Sequence, residues 1–66
     1  MQITLNGKPY ILPQPTSILG LAGTLQLEPT QVAIECNGEI VPRSLYGEML
    51  LNEGDILEVV TFIGGG

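Results

Sequence analysis

Two Asn-Gly pairs, Asn6-Gly7 and Asn37-Gly38, each divide an alternating apolar run. Asn and Gly both tolerate the positive φ of a type I′ turn, so Asn-Gly between alternating segments is the strongest short-range hairpin signal. In MQITLNGKPYIL, Met1, Ile3 and Leu5 alternate with Gln2 and Thr4, which gives one apolar face. Lys8 to Leu12 forms the return strand. Pro9 has no N–H, so it belongs where the ladder needs none. In QVAIECNGEIV, Val32, Ile34 and Cys36 alternate with Ala33 and Glu35, and Ile40-Val41 opens a short strand that Pro42 stops. The 66 residues make one domain, read as 1–66. A chain this short buries only about 60% of its unfolded surface, so both hairpins must share one core.

Between the hairpins, PQPTS breaks the extended pattern. Ser17 is the expected N-cap, with Thr16 as the competing choice. Ile18, Leu21, Ala22 and Leu25 then fall on one helical face. Leu19 lies off this stripe and is expected to be partly exposed. Gly20 and Gly23 each cost about 1 kcal/mol relative to alanine, so the helix needs a sheet to pack on. It ends near Leu25 to Leu27, before Pro29. RSLYGEMLLNEG reads as an irregular connection with one helical turn. In it Leu45, Tyr46 and Leu50 are expected to cover one end of the core. NEGD is a turn. DILEVVTFI is the last strand, apolar on both faces, which predicts a central position with one side buried and the other at least half covered. The order is β-β-α-β-β-β with a short fourth strand. One helix must cover one face of a mixed sheet of four to five strands, an α+β architecture in which the chain grasps the helix.

The formal charge is −5, from 7 acidic and 2 basic residues, with no histidine. Phosphate backbones demand lysine and arginine, so nucleic acid is not an expected partner. An acidic surface suits a basic docking face, or serves solubility alone. No apolar run approaches the roughly 20 residues of a membrane span, and the N-terminus shows no secretory pattern. One cysteine makes no internal disulfide, in keeping with a cytoplasmic location. Without histidine there is no Ser-His or Cys-His couple and no imidazole for a metal. A pocket of the usual ligand size is not expected, and the chain is not expected to be an enzyme. Cys36 reads either as a sulfur-accepting thiol or as a small inward-facing apolar residue; its register with Val32 and Ile34, and the lack of an adjacent cation, favour the second.

The sequence closes on TFIGGG. Glycine can lie extended in a channel too narrow for side chains. Residues 63–66 therefore read as an extended flexible tail that holds the Gly66 carboxylate on a thin tether. A carboxylate becomes a good electrophile once converted to an acyl-adenylate. A frayed or artificial terminus is the alternative. The strand just before the glycines favours the tether, because it defines where the tail leaves the domain.

MQITLNGKPY, AIECNGEIVPRS and LNEGDILEVVTFIGGG, with the length of 66, resemble the bacterial sulfur carriers of thiamine biosynthesis, the ThiS family. The match runs over nearly the whole chain and is most specific in Asn37 to Ser44 and in Gly65-Gly66. The resemblance implies a ubiquitin-like β-grasp fold. It also implies that an E1-like adenylyltransferase, using ATP and magnesium, adenylates the terminal glycine. A persulfide sulfur from a donor enzyme then displaces AMP, and the resulting thiocarboxylate supplies thiazole synthase. Carried onto this chain, Gly66 bears the sulfur, Gly65 is the spacer and Gly64 an extra glycine. Gly20, Gly23 and Cys36 depart from what the family leads one to expect. Arg43 and Ser44 read as a structural turn after Pro42 rather than a partner contact.

By the same resemblance, partners dock on an apolar patch of the open sheet face with an acidic rim. Phe62, Ile63 and Glu58 are the chosen partner-binding residues, with a core role for Phe62 or Ile63 as the alternative. Strand alternation allows only one of the sets Leu57/Val59/Thr61 and Glu58/Val60/Phe62 to face outward. The rival functions are a molybdopterin-synthase carrier subunit, a ubiquitin-like modifier, and a plain interaction domain.

Overall fold

The computed structural model describes residues 1–62. The first hairpin pairs β1 (Gln2–Leu5) with β2 (Lys8–Ile11). The helix α1 (Ile18–Thr24) follows, and then β3 (Val32–Cys36), β4 (Glu39–Ile40) and β5 (Ile56–Thr61). Short 3₁₀ turns occupy Pro29–Gln31 and Arg43–Leu45. The sheet has five strands in the order β2-β1-β5-β3-β4. β5 runs parallel to β1 and antiparallel to β3. This is the ubiquitin-like β-grasp arrangement, with the last strand in the centre as its composition predicts.

Both Asn-Gly pairs adopt the doubly left-handed turn: φ is 51° and 82° at Asn6-Gly7, and 53° and 86° at Asn37-Gly38. Each asparagine also does something the turn pattern does not reveal. Asn6 makes the last backbone bond of the parallel ladder, its N–H donating to Leu57 O at 2.9 Å, before the chain turns away. Its side-chain amide takes the place of the departing backbone, with Oδ1 accepting from Val59 N at 2.8 Å and Nδ2 donating to Val59 O at 3.3 Å. Asn37 does the same on the other flank of β5, where its Oδ1 accepts from Ile56 N at 2.9 Å. The two turns thus satisfy backbone groups of the central strand that neither neighbour reaches. Pro9 sits opposite Thr4 on the edge strand β2. Thr4 turns its own N–H to Asp55 O on the β5 side, so the pair shares no ladder bond and the missing N–H of Pro9 faces the free edge.

Ser17 is the N-cap, its hydroxyl accepting from Gly20 N at 3.0 Å. A Cβ at Gly20 would collide with Thr16 Oγ1, so close packing at the cap requires the glycine; Gly23 faces open space. At the other end Gln26 N donates to Gly23 O and Leu27 N to Ala22 O, with Gln26 at φ 59°. This is a Schellman cap with a side-chain-bearing residue in the left-handed position that glycine prefers. Gln26→Gly is therefore expected to stabilise the fold by about 0.5–1 kcal/mol, the relief of the Cβ strain outweighing glycine's extra freedom when unfolded. The urea midpoint should rise with an unchanged slope. A lower midpoint would show that Gln26 is not strained.

The core gathers Ile3, Ile18, Leu21, Val32, Ile34 and Leu57, all 1% exposed or less, with Leu12, Val41, Tyr46 and Leu51 around them. Leu19 is exposed, as its place off the helical stripe predicts. Two expectations are corrected. Leu50 and Leu45 are exposed rather than covering the core, and Leu51 is buried in their place. The cause is a bridge between Leu50 and Ser17, with Leu51 N bonded to Thr16 O, which turns Met49 and Leu51 inward and Leu50 out. Further, the second face of β5 is open, because the one helix lies across the other face. Arg43 is structural, as expected: Nε donates to Pro29 O at 2.9 Å and an Nη to Val32 O at 3.4 Å. The guanidinium satisfies carbonyls beyond the two-residue β4, where the β3 edge would otherwise be bare.

Candidate functional site

The register of the ladders sorts every strand residue onto a face. Leu57 and Val59 stand opposite Cys36 and Ile34, on the helix side. Ile56, Glu58 and Val60 stand on the other face, opposite Thr4, Glu35 and Ala33. Ile11 and Ile40 share that face through their pairings with Gln2 and Glu35. Of the two alternation sets, Glu58/Val60/Phe62 is therefore the outward one. Ile56 is 53% exposed, Val60 58% and Phe62 51%. These exposed apolar side chains on the middle strand, with the Glu58 carboxylate between Ile56 and Val60, have the character of an interaction surface.

Phe62 follows β5 directly and is the last of the described residues. Its backbone N–H donates to Gln31 O at 2.8 Å, the last ladder contact of the described residues. Its exposure places it at the rim of the open face and not in the core. Glu58 lies on the same face, directly opposite Glu35. Like charges in such a pair disfavour the sheet by tenths of a kcal/mol. The two cationic side chains lie elsewhere. Arg43 is bound to carbonyls, and Lys8 stands opposite Leu5, on the helix side of the edge strand. Ile63, Gly64, Gly65 and Gly66, the remaining predicted site residues, lie outside the described residues.

Beside Phe62 is an open cleft of about 330 Å³, lined by Leu27, Gln31, Thr61 and Phe62 among others. It falls at the small end of the roughly 300–1,000 Å³ of ligand sites, which corrects the expectation that no such pocket forms. Glu28 is its only ionisable lining residue, so it offers no acid-base couple. Cys36 is buried beneath the sheet, as its register predicts. Burial pushes its thiol pKa up, and the nearby Asp55 carboxylate pushes it further the same way, by its charge and a hydrogen bond. A thiol so placed is a poor nucleophile.

Sequence reasoning left open which face of β5 is free and did not single out Ile56, Ile11 or Ile40. Alternation identifies each set, but only the position of α1 says which set is covered. Among the described residues no helix is long and apolar enough to cross a membrane.

Comparison with known proteins agrees with this geometry. The model of the ThiS family matches residues 3–66. The chain is 46% identical to a thiazole synthase of Magnetococcus marinus over 66 residues, all of this chain but 20% of that protein, so it spans about a fifth of the length of such relatives. It is 38% identical to the sulfur carrier protein ThiS of Bacillus subtilis over 65 residues, covering 97% of this chain and 98% of that one. In three dimensions it resembles the crystal structure of the thiamine biosynthesis protein ThiS from Geobacter metallireducens, with a TM-score of 0.85, 30% identity and full coverage of both chains. A match over nearly every residue, a relative of the same length and the same strand order around one helix leave one assignment: the chain belongs to the ThiS family.

Proposed function

We propose that this chain is a sulfur carrier for the thiazole moiety of thiamine, a protein co-substrate rather than an enzyme, working in the cytoplasm. The Gly66 carboxylate attacks the α-phosphorus of ATP on an E1-like adenylyltransferase that holds the magnesium, and pyrophosphate leaves. The terminal sulfur of a donor enzyme's persulfide then attacks the acyl carbon, and AMP leaves. A second thiol cleaves the S–S bond and frees the Gly66 thiocarboxylate, which gives its sulfur to thiazole synthase. Gly65 and Gly64 admit the tail to active sites too narrow for side chains.

The observation that carries this reading is the apolar face beside Phe62, the last of the described residues and itself bonded to the sheet. Four residues follow Phe62, and an extended backbone spans at most about 3.6 Å per residue, or about 14 Å in all. A partner seated on Ile56, Val60 and Phe62 therefore has its catalytic centre within reach of the carboxylate. The Glu35–Glu58 pair suits a basic side chain at the centre of that partner's surface. The buried Cys36 supports the reading from the other side, because the sole thiol is a poor sulfur acceptor. The likeness to part of a thiazole synthase supports that enzyme as the consumer.

The test is incubation with the adenylyltransferase, ATP, magnesium and a persulfide donor, followed by intact-mass measurement. The expected product is the chain with one oxygen exchanged for sulfur. Conjugates on lysines in its place would support a protein modifier, and transfer to a molybdopterin-synthase subunit rather than thiazole synthase would support the other carrier. Val60→Glu, a charge in the middle of the patch, is expected to raise the KM for the carrier by about tenfold or more while kcat holds. An unchanged KM would move docking away from this face.

A further inference from the structure

An Asn-Gly peptide is open to one reaction that needs no enzyme. The backbone nitrogen of the glycine attacks the asparagine Cγ, a C–N bond forms and ammonia leaves. Water then opens the cyclic imide to aspartate or isoaspartate. This chain holds two such peptides, and both asparagine amides are in use. Asn6 is clamped to Val59, with Oδ1 accepting from the N–H and Nδ2 donating to the carbonyl. Asn37 is clamped more tightly: Oδ1 accepts from Ile56 N at 2.9 Å, while Nδ2 donates to Asp55 Oδ1 at 3.0 Å and reaches Cys36 Sγ at 3.7 Å. To bring Cγ onto the glycine nitrogen, either side chain must release β5 and its turn must leave the left-handed conformation.

The consequences differ between the two. At Asn6, conversion to a carboxylate keeps the acceptor for Val59 N and sets the other oxygen 3.3 Å from the neutral Val59 carbonyl rather than from a second carboxylate. At Asn37 it replaces an N–H donor with a second carboxylate oxygen, 3.0 Å from the Asp55 oxygen. Two carboxylates this close repel each other, an effect that solvent at this exposed site screens only in part. Asp55 cannot turn away freely, because its other oxygen accepts from Asn52 N at 2.8 Å and holds the turn that leads into β5. We propose that the Asn37–Gly38 turn is a deamidation site that the native fold keeps closed and that, once modified to aspartate, seats the start of β5 less firmly, because its contact with Asp55 turns repulsive while the acceptor for Ile56 N remains. Deamidation at Asn37 thus records time spent unfolded, and its aspartate product refolds to a less stable domain.

The full chain should be incubated in mildly alkaline buffer, with and without urea, and mapped by peptide mass. Both asparagines are expected to convert in urea. In native buffer Asn37 is expected to keep its amide longer by about tenfold or more, since reaction then waits on opening of the turn. Equal rates in the two conditions would overturn the proposal. The aspartate product is mimicked by Asn37→Asp, whose unfolding constant at neutral pH is expected to exceed that of Asn6→Asp by about tenfold. That excess should shrink as pH falls into the carboxylate range, where one of the paired groups takes a proton that the unfolded chain binds less readily. The double variant Asn37→Asp/Asp55→Asn restores a donor between the two positions and is expected to recover most of the lost stability. Failure of that exchange to rescue, or an Asn37→Asp variant as stable as Asn6→Asp, would also overturn it.

Discussion

Deletion of Gly66 is expected to abolish thiocarboxylate formation while leaving the fold intact. The acyl carbon that the adenylyltransferase activates would then belong to Gly65, one residue short of the partner's nucleotide. A misplacement of even 1 Å at a reacting centre can cost about a hundredfold in rate, and one extended residue is about 3.5 Å. Among the described residues every member of the buried core lies between Ile3 and Leu57, and glycine carries no side chain to add to it. The melting temperature should therefore stay within about 2–4 °C of wild type, the shift that half a kcal/mol causes in a domain of this size. The measurements are intact mass after the sulfur-transfer reaction and a thermal melt on the same preparation. A truncated chain that still gained sulfur would remove Gly66 from the chemistry. A melt lowered far beyond that range would show that the terminal residue supports the fold.

The second large effect belongs to the inward side of the same strand. Leu57 is fully buried, on the central strand β5, in register with Leu5 on one neighbour and Cys36 on the other. Leu57→Ala removes that side chain from a site gripped by two strands and the helix layer, where little can collapse to fill the space. The expected loss is about 2–5 kcal/mol, against a total stability of roughly 3–10 kcal/mol for a chain this short. Most molecules should be unfolded in modest urea, and sulfur acceptance should fall with the folded fraction. Val60→Ala, three residues along on the open face, should change stability by no more than about 0.5 kcal/mol. Comparable urea midpoints for the two variants would contradict the assignment of faces.

That contrast between Leu57 and Val60 marks where the sequence becomes silent. The local elements follow from neighbours in the chain. Asn-Gly dictates the turn through φ, Ser17 caps the first turn of α1, and alternation in Val32 to Cys36 sets which side chains go together. The glycine-rich end has a direct chemical reading as a tether, and the Asn37 to Ser44 block points to the family by resemblance alone. Three things depend on contacts between residues far apart in the chain. The first is which face of β5 stays bare, since both faces are apolar and only the placement of one short helix covers one of them. The second is the fate of Leu50 and Leu51, adjacent leucines of equal hydrophobicity, separated by a bridge to Ser17 more than thirty residues away. The third is the second task of Asn6 and Asn37, whose amides are needed only because β5 arrives between the two hairpins. Periodicity and turn chemistry act over a few residues and so are written in the sequence. Long-range pairing is decided when one central strand must satisfy its backbone from both sides at once.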